Sequence, residues 1–191
     1  MNRGSVAIRY SRALFEEASA QSIDKDVYGF LTTLKDNMHK VPDLQRALMN
    51  QRVSKEKKLK LLVTASGLNP DTTILPPGGE VRGSLYIRFL WLVLEHQREA
   101  VLRIIILIYF ELYRAKHHIV NVILETAMAA SDELQQKVKD KIYALTGLHV
   151  QLETRVRPEL IGGFCLRVGD ILYDYSYRSK LQTIRKRLWN K

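Results

Sequence analysis

The sequence predicts an α+β chain: an all-α helical bundle over residues 1–115, then a small α+β domain over residues 116–191 with element order β-α-β-β-β-α. Three observations carry this reading. As far as about Phe110, apolar residues recur every three or four positions, the spacing of amphipathic helices. Beyond Lys116 the spacing shortens to two, and the strand pieces there are joined by one helix and by Gly-bearing turns. A chain of 191 residues, 46% of them apolar, also has enough core-forming side chains for two small domains.

In the first half, Ser5 is placed to cap a helix on which Val6, Tyr10, Ala13, Leu14 and Ala18 share a face. A second helix starts near Asp24, keeps Val27, Phe30, Leu31, Leu34 and Met38 in phase, and stops before Pro42. A short helical turn covers Asp43 to Met49. Ser54 caps the next helix, with Leu59, Leu62 and Val63 inward and Lys55, Lys57, Lys58 and Lys60 outward, and Gly67 and Pro70 close it. The lysines read as a solvated face rather than a phosphate site. Residues 70–83 are a loop by composition, and Gly78-Gly79 lacks the Lys-Ser/Thr that a phosphate-cradling loop needs. Two more helices follow around a polar break at Glu95 to Glu99. The first has Leu85, Phe89, Leu92 and Val93 inward, the second Val101, Ile104, Ile105, Ile108 and Leu112. The apolar run Ile104 to Phe110 falls far short of the ~20 residues of a bilayer span, so it reads as core.

In the second half, Val120, Val122 and Leu124 alternate with Asn121, Ile123 and Glu125 as a strand. His117 and His118 would extend that strand and point to opposite faces, which is wrong for two ligands of one metal. Ser131 caps a helix whose first turn holds Asp132 and Glu133, where the macrodipole favours them, and Gly147 ends it. Leu134, Val138, Ile142 and Leu145 form its stripe. The next strand carries Val150, Leu152, Thr154 and Val156 on one face and stops at Pro158. Gly162 and Gly163 then stand where the backbone takes a positive φ or approaches another strand closely. Phe164, Leu166 and Val168 belong to a third strand, Gly169-Asp170 to a turn, Ile171 to Tyr175 to a fourth strand, and Ser176 caps a last helix.

Thirty basic against twenty acidic residues give a net charge of +10, which fits an acidic partner. Cys165 is the sole cysteine, so no intramolecular disulfide forms, as in a reducing cytoplasm. The N-terminus has no uninterrupted apolar core, and Glu16 and Glu17 are foreign to a transit peptide, so no targeting segment is read there. Cys165 has no His near it in sequence, Asp170 and Asp174 are ordinary turn residues, and His39, His96 and His149 are scattered. The sequence thus offers no catalytic set, no cofactor fingerprint and no metal cluster. A basic nucleic-acid-binding module is the alternative that the charge invites. Its strands would lack paired exposed aromatics, and the basic residues are spread through both halves.

Pro158, Leu160 to Phe164, Gly169-Asp170, Asp174 and Ser176, followed by Leu181, Ile184 and Leu188, resemble the signature of the δ subunit of F-type ATP synthase, the oligomycin-sensitivity-conferring protein family. Ala7, Tyr10 and Ser11 to Phe15 resemble that family's opening, with Ser11 in place of the usual Ala, and Leu90, Leu94, Glu95 and Arg98 resemble a middle segment. The resemblance implies a non-catalytic stator subunit of the proton-translocating complex, one copy per complex, on the cytoplasmic side of a bacterial inner membrane. It implies that the helical domain takes an N-terminal segment of the α subunit in a groove between its first and fifth helices, to which Tyr10, Ala13, Leu14, Phe89 and Val93 are assigned. It implies that the second domain grips the b-subunit stalk, and that Gly162, Gly163, Asp174 and Ser176 are a structural motif. No cofactor and no nucleic-acid partner are expected.

Overall fold

The computed structural model describes residues 3–69 and 84–189, so the loop read over residues 70–83 lies outside the described residues. The chain divides into two compact units, Met1–Tyr113 and Arg114–Lys191. The first consists of α1 (Arg3–Ala20), α2 (Asp24–Lys40), α3 (Pro42–Met49), α4 (Lys55–Ala65), α5 (Ser84–Glu95) and, after a 3₁₀ turn at Glu99–Val101, most of α6 (Leu102–Lys116). Local chemistry sets these boundaries. Ser54 Oγ accepts from the Lys57 N–H at 3.4 Å, Pro42 takes the first position of α3, where no N–H is needed, and Gly67 adopts φ +79°. Ser5 is not the cap expected of it, because α1 already begins at Arg3 and Ser5 lies within its first turn.

α1 buries Val6, Ala7, Ser11, Leu14 and Ala18 and packs on α2, α5 and the 3₁₀ turn. Ala13, expected inward, is exposed: at about 100° per residue it falls off the line Ala7–Ser11–Leu14–Ala18. The expected face of α6 is also corrected. Its sequence is apolar nearly all round, and the face turned inward holds Leu102, Ile105, Ile106, Tyr109, Phe110 and Tyr113, while Ile104 is 39% exposed. Aromatic packing selects that face. Tyr28 stacks on Tyr113 at 4.3 Å and leans on Phe110 at 4.8 Å, and Phe15 meets Tyr109 edge-on at 5.6 Å. The Tyr109 hydroxyl donates to the Asp24 carbonyl oxygen at 3.1 Å, so the buried ring keeps its polar end satisfied.

The interior of this unit contains one ion pair that the periodicity of α4 conceals. Lys58, read as outward, points inward and lies 2.8 Å from Glu99 of the 3₁₀ turn, the two side chains being only 8% and 11% exposed. Ser66 Oγ lies 2.7 Å from the Leu62 carbonyl and 2.7 Å from the Tyr86 hydroxyl, and Asn37 Nδ2 donates to the Ala65 carbonyl at 2.8 Å. Ser11 is different. Its hydroxyl is buried and has no hydrogen-bond partner among the described residues. Ser11→Ala therefore removes an unsatisfied polar group and adds a better helix former, and it should stabilise the helical unit by about 1 kcal/mol in urea unfolding. A loss of stability would mean that the hydroxyl has a partner in solution.

The second unit is a four-stranded sheet with spatial order β2-β1-β3-β4. β1 (Ile119–Thr126) leads to α7 (Asp132–Thr146), then β2 (His149–Val156), a 3₁₀ turn at Pro158–Leu160, β3 (Phe164–Val168), β4 (Ile171–Asp174) and α8 (Tyr177–Trp189). This is the β-α-β-β-β-α order read from the sequence. β1 and β2 are parallel from Ile119↔His149 to Thr126↔Val156, whereas β1–β3 and β3–β4 are antiparallel. Val122, Leu124 and Thr126 are the buried residues of β1, and α7 packs on β2. Ser131 Oγ caps α7 by accepting from the Leu134 N–H at 3.3 Å, and Gly147 ends it at φ +69°. His117 and His118 lie in the turn before β1 and not in the strand. His118 takes φ +53°, and its carbonyl accepts from the His149 N–H at 2.7 Å, so this turn sets the start of the parallel pair.

Candidate functional site

The motif at residues 158–176 folds into one junction between the sheet and α8. After the 3₁₀ turn, Ile161 takes φ +67° and Gly163 φ +74°, and the Tyr177 N–H donates to the Gly162 carbonyl at 3.0 Å. A Cβ on Gly162 would stand 2.6 Å from Tyr177 Cδ2, and one on Gly163 would press into the Tyr175 carbonyl oxygen. Both glycines thus let the turn lie against the start of α8. Across the junction, Asp174 Oδ1 accepts from the Ser176 N–H at 2.9 Å and from Cys165 Sγ at 3.2 Å, and Ser176 Oγ accepts from the Ser179 N–H at 3.2 Å. The hydrogen bonds from Ser176, and after them the one from Cys165, hold the Asp174 carboxyl below the usual carboxylate range. Burial and the neighbouring Asp174 push the Cys165 thiol up to about 11, so Cys165 acts as a protonated donor and not as a nucleophile. Gly162, Gly163, Asp174 and Ser176 therefore meet in one place, and their chemistry is that of a joint.

In the helical unit, α1 packs on α5. Of the five residues assigned there, Leu14, Phe89 and Val93 are buried in the unit's own core, Tyr10 is half-buried and Ala13 is exposed. The exposed apolar side chains of these helices include Ile8 and Leu92, at 43% and 42% exposure. Sequence reasoning missed both. Leu92 was expected inward because α5 is apolar on almost every side, which leaves its pattern no polar face from which to find the inner one.

In the sheet unit, α7 and strands β3 and β4 bound an open apolar groove of about 640 Å³. Its floor is Phe164, Leu166, Val168, Ile171, Tyr173 and Tyr175, and its wall is Val138, Ile142 and Leu145 with Lys137 and Lys141. α8 packs on the 3₁₀ turn Pro158–Leu160, and its Leu181 and Ile184 are 55% and 54% exposed. Among the described residues, no helix is long and apolar enough to cross a membrane, and no cluster of His, Cys, Asp and Glu could hold a metal.

A sequence profile described as the ATP synthase delta (OSCP) subunit matches residues 6–188, which is nearly the whole chain and both units. The chain belongs to the ATP synthase delta (OSCP) subunit family. Its relatives in that family include the ATP synthase subunit delta of Parabacteroides distasonis, 38% identical over 97% of this chain and 96% of the relative. The corresponding subunit of Symbiobacterium thermophilum is 34% identical over 98% and 95%. A chain in the cryo-EM structure of the Toxoplasma gondii mitochondrial ATP synthase hexamer shares the fold, with a TM-score of 0.67 over 96% of this chain and 97% of that one, at 20% identity. The delta-family motifs read in the sequence thus lie on α1, on α5 with the turn that follows it, and on the joint that sets α8, and the family that they resemble is the one to which the chain belongs.

Proposed function

We propose that this delta-family chain is a stator subunit that joins the catalytic head of an F-type ATP synthase to the b-subunit stalk and performs no catalysis of its own. The observation that carries the reading is the family match, which runs through both units. Such a part must resist rotor torque, and two folding units allow it to hold two partners at once. The helical unit takes the amphipathic N-terminal segment of the α subunit along α1 and α5, a helix-in-groove contact. The sheet unit grips the end of the stalk. Simultaneous engagement raises the effective concentration of each partner for its site, so moderate separate affinities give a durable link. The chain works as one copy per complex, peripheral to the bacterial inner membrane on its cytoplasmic side.

Within the proposed α-subunit contact, Ala13 and Tyr10, one turn apart on α1, reach the partner, and the buried Leu14, Phe89 and Val93 hold the helices in place beneath. Ala13→Glu is a clean probe because the position is exposed and the substitution leaves the core intact. It should weaken binding of a synthetic α-subunit N-terminal peptide about tenfold, ~1.4 kcal/mol, in calorimetry at an unchanged melting temperature. Equal affinity for variant and wild type would place the contact elsewhere. The function as a whole is tested by a pull-down with purified α subunit and soluble b fragment in the presence of nuclease. Retention of both supports it, and retention of neither, with nucleic acid bound when the nuclease is left out, favours the nucleic-acid module.

A further inference from the structure

The sheet has two outer strands, β2 and β4. β4 is four residues long and runs into the capped start of α8, so it offers little edge to another strand. β2 is eight residues long, contains neither Pro nor Gly, and keeps its register with β1 from His149 to Val156 without a bulge. The His149 N–H donates to the His118 carbonyl and the Arg157 N–H to the Thr126 carbonyl, so the odd-numbered residues turn their backbone groups to β1. Successive residues of a strand alternate, and the N–H and C=O groups of Val150, Leu152, Thr154 and Val156 therefore point to the open side of the sheet. The usual protections of such an edge, a proline, a bulge or a run of one charge, are absent. Its charged side chains, Glu153 and Arg155, are opposite in sign and about half exposed.

We infer that β2 pairs antiparallel with β2 of a second copy about a two-fold axis at Thr154, joining the two sheets into one of eight strands, four from each copy. Charge complementarity selects this occupant and this register. With Thr154 opposite Thr154, Leu152 faces Val156, Glu153 faces Arg155 and Gln151 faces Arg157. Thr154–Thr154 and Leu152–Val156 fall at hydrogen-bonded positions, because their backbone groups point outward. Glu153–Arg155 falls at the closer, non-hydrogen-bonded positions, where side chains of opposite charge meet best. Within one copy Arg155 already lies 2.8 Å from Glu153, so the four charges of the dimer alternate in sign around the axis. Moving the axis one residue along sets Glu153 against Glu153 or Arg155 against Arg155, and a parallel in-register pairing brings both repulsions at once. The contact is isologous and closes at two copies, so the free chain covers its open edge without growing into a fibre.

An edge pairing of this length, with no apolar core of its own, belongs with transient interfaces, so the dimer should form at ~100 µM and be absent at ~1 µM, where the chain works singly as in the stator reading. The pairing does not depend on that reading, and sedimentation equilibrium on the free full chain tests it. Arg155→Glu and Glu153→Arg should each weaken self-association about tenfold or more at native melting temperatures, because each sets like charges across the axis twice. An equimolar mixture of the two variants should dimerise like wild type, and so should the double variant Glu153→Arg with Arg155→Glu, since Glu faces Arg again in both. A wild-type chain that stays monomeric at ~100 µM, charge variants that associate as well as wild type, or a mixture that fails to recover would each overturn the inference. Assemblies larger than a dimer would overturn its closure at two copies.

Discussion

Gly163→Val should strongly destabilise the sheet unit and leave the helical unit intact. Valine at φ +74° occupies a region that β-branched residues avoid, at about 1–3 kcal/mol. Its Cβ would also enter the Tyr175 carbonyl oxygen, a backbone atom held in place by the Tyr175 N–H bond to Phe164 at 2.9 Å, so the neighbour cannot turn aside. Together the two terms come to about 3 kcal/mol or more, a large part of the roughly 4–12 kcal/mol that holds a unit of this size. Hydrogen exchange by mass spectrometry should show loss of protection across β1 to β4 with α1 to α5 unchanged, and stalk binding should vanish while α-peptide affinity stays within about twofold. Gly162→Ala should be milder, because what it meets is the ring of Tyr177, which is 55% exposed and free to swing away. Native protection in Gly163→Val would show that the turn can re-form without a positive φ.

Glu99→Ala should strongly destabilise the helical unit. It would leave the Lys58 ammonium in a site where its side chain is only 8% exposed, and breaking a buried pair from one side costs about 3–5 kcal/mol. For a unit of about 110 residues this lowers the melting temperature by on the order of 10 °C or more. The double variant Lys58→Met with Glu99→Leu should recover most of the loss, since the pair's own Coulomb gain is largely offset by the desolvation of both charges. A melting temperature unchanged by Glu99→Ala would mean that Lys58 reaches water.

Element boundaries were legible because their chemistry is local. Ser54, Ser131 and Ser176 cap the helices that the sequence assigns to them, Pro42 separates α2 from α3, and Gly147 ends α7. Facing was legible only where a polar side exists to contrast with an apolar one. α2 has one, and so does α1 apart from Ala13, whose small side chain marks neither face, whereas the nearly uniform apolar runs of α5 and α6 hid the exposure of Leu92 and Ile104. Lys58 was misread for a related reason: its inward turn depends on Glu99, forty-one positions away, and no local pattern carries that. The two glycines looked equivalent in sequence, yet one faces a side chain and the other a carbonyl. The groove was invisible too. Ile171 and Tyr173 alternate like core-facing strand residues, and only the placement of α7 and α8 leaves them uncovered.

Whether one chain holds both proposed partners at once, each through its own unit, is decided by sedimentation velocity on the full chain mixed with the α-subunit N-terminal peptide and the soluble b fragment. A single ternary species with one copy of the chain is expected, in which saturating peptide shifts the b-fragment affinity by less than about twofold. Displacement of one partner by the other, or failure of either to enter the complex, would contradict it.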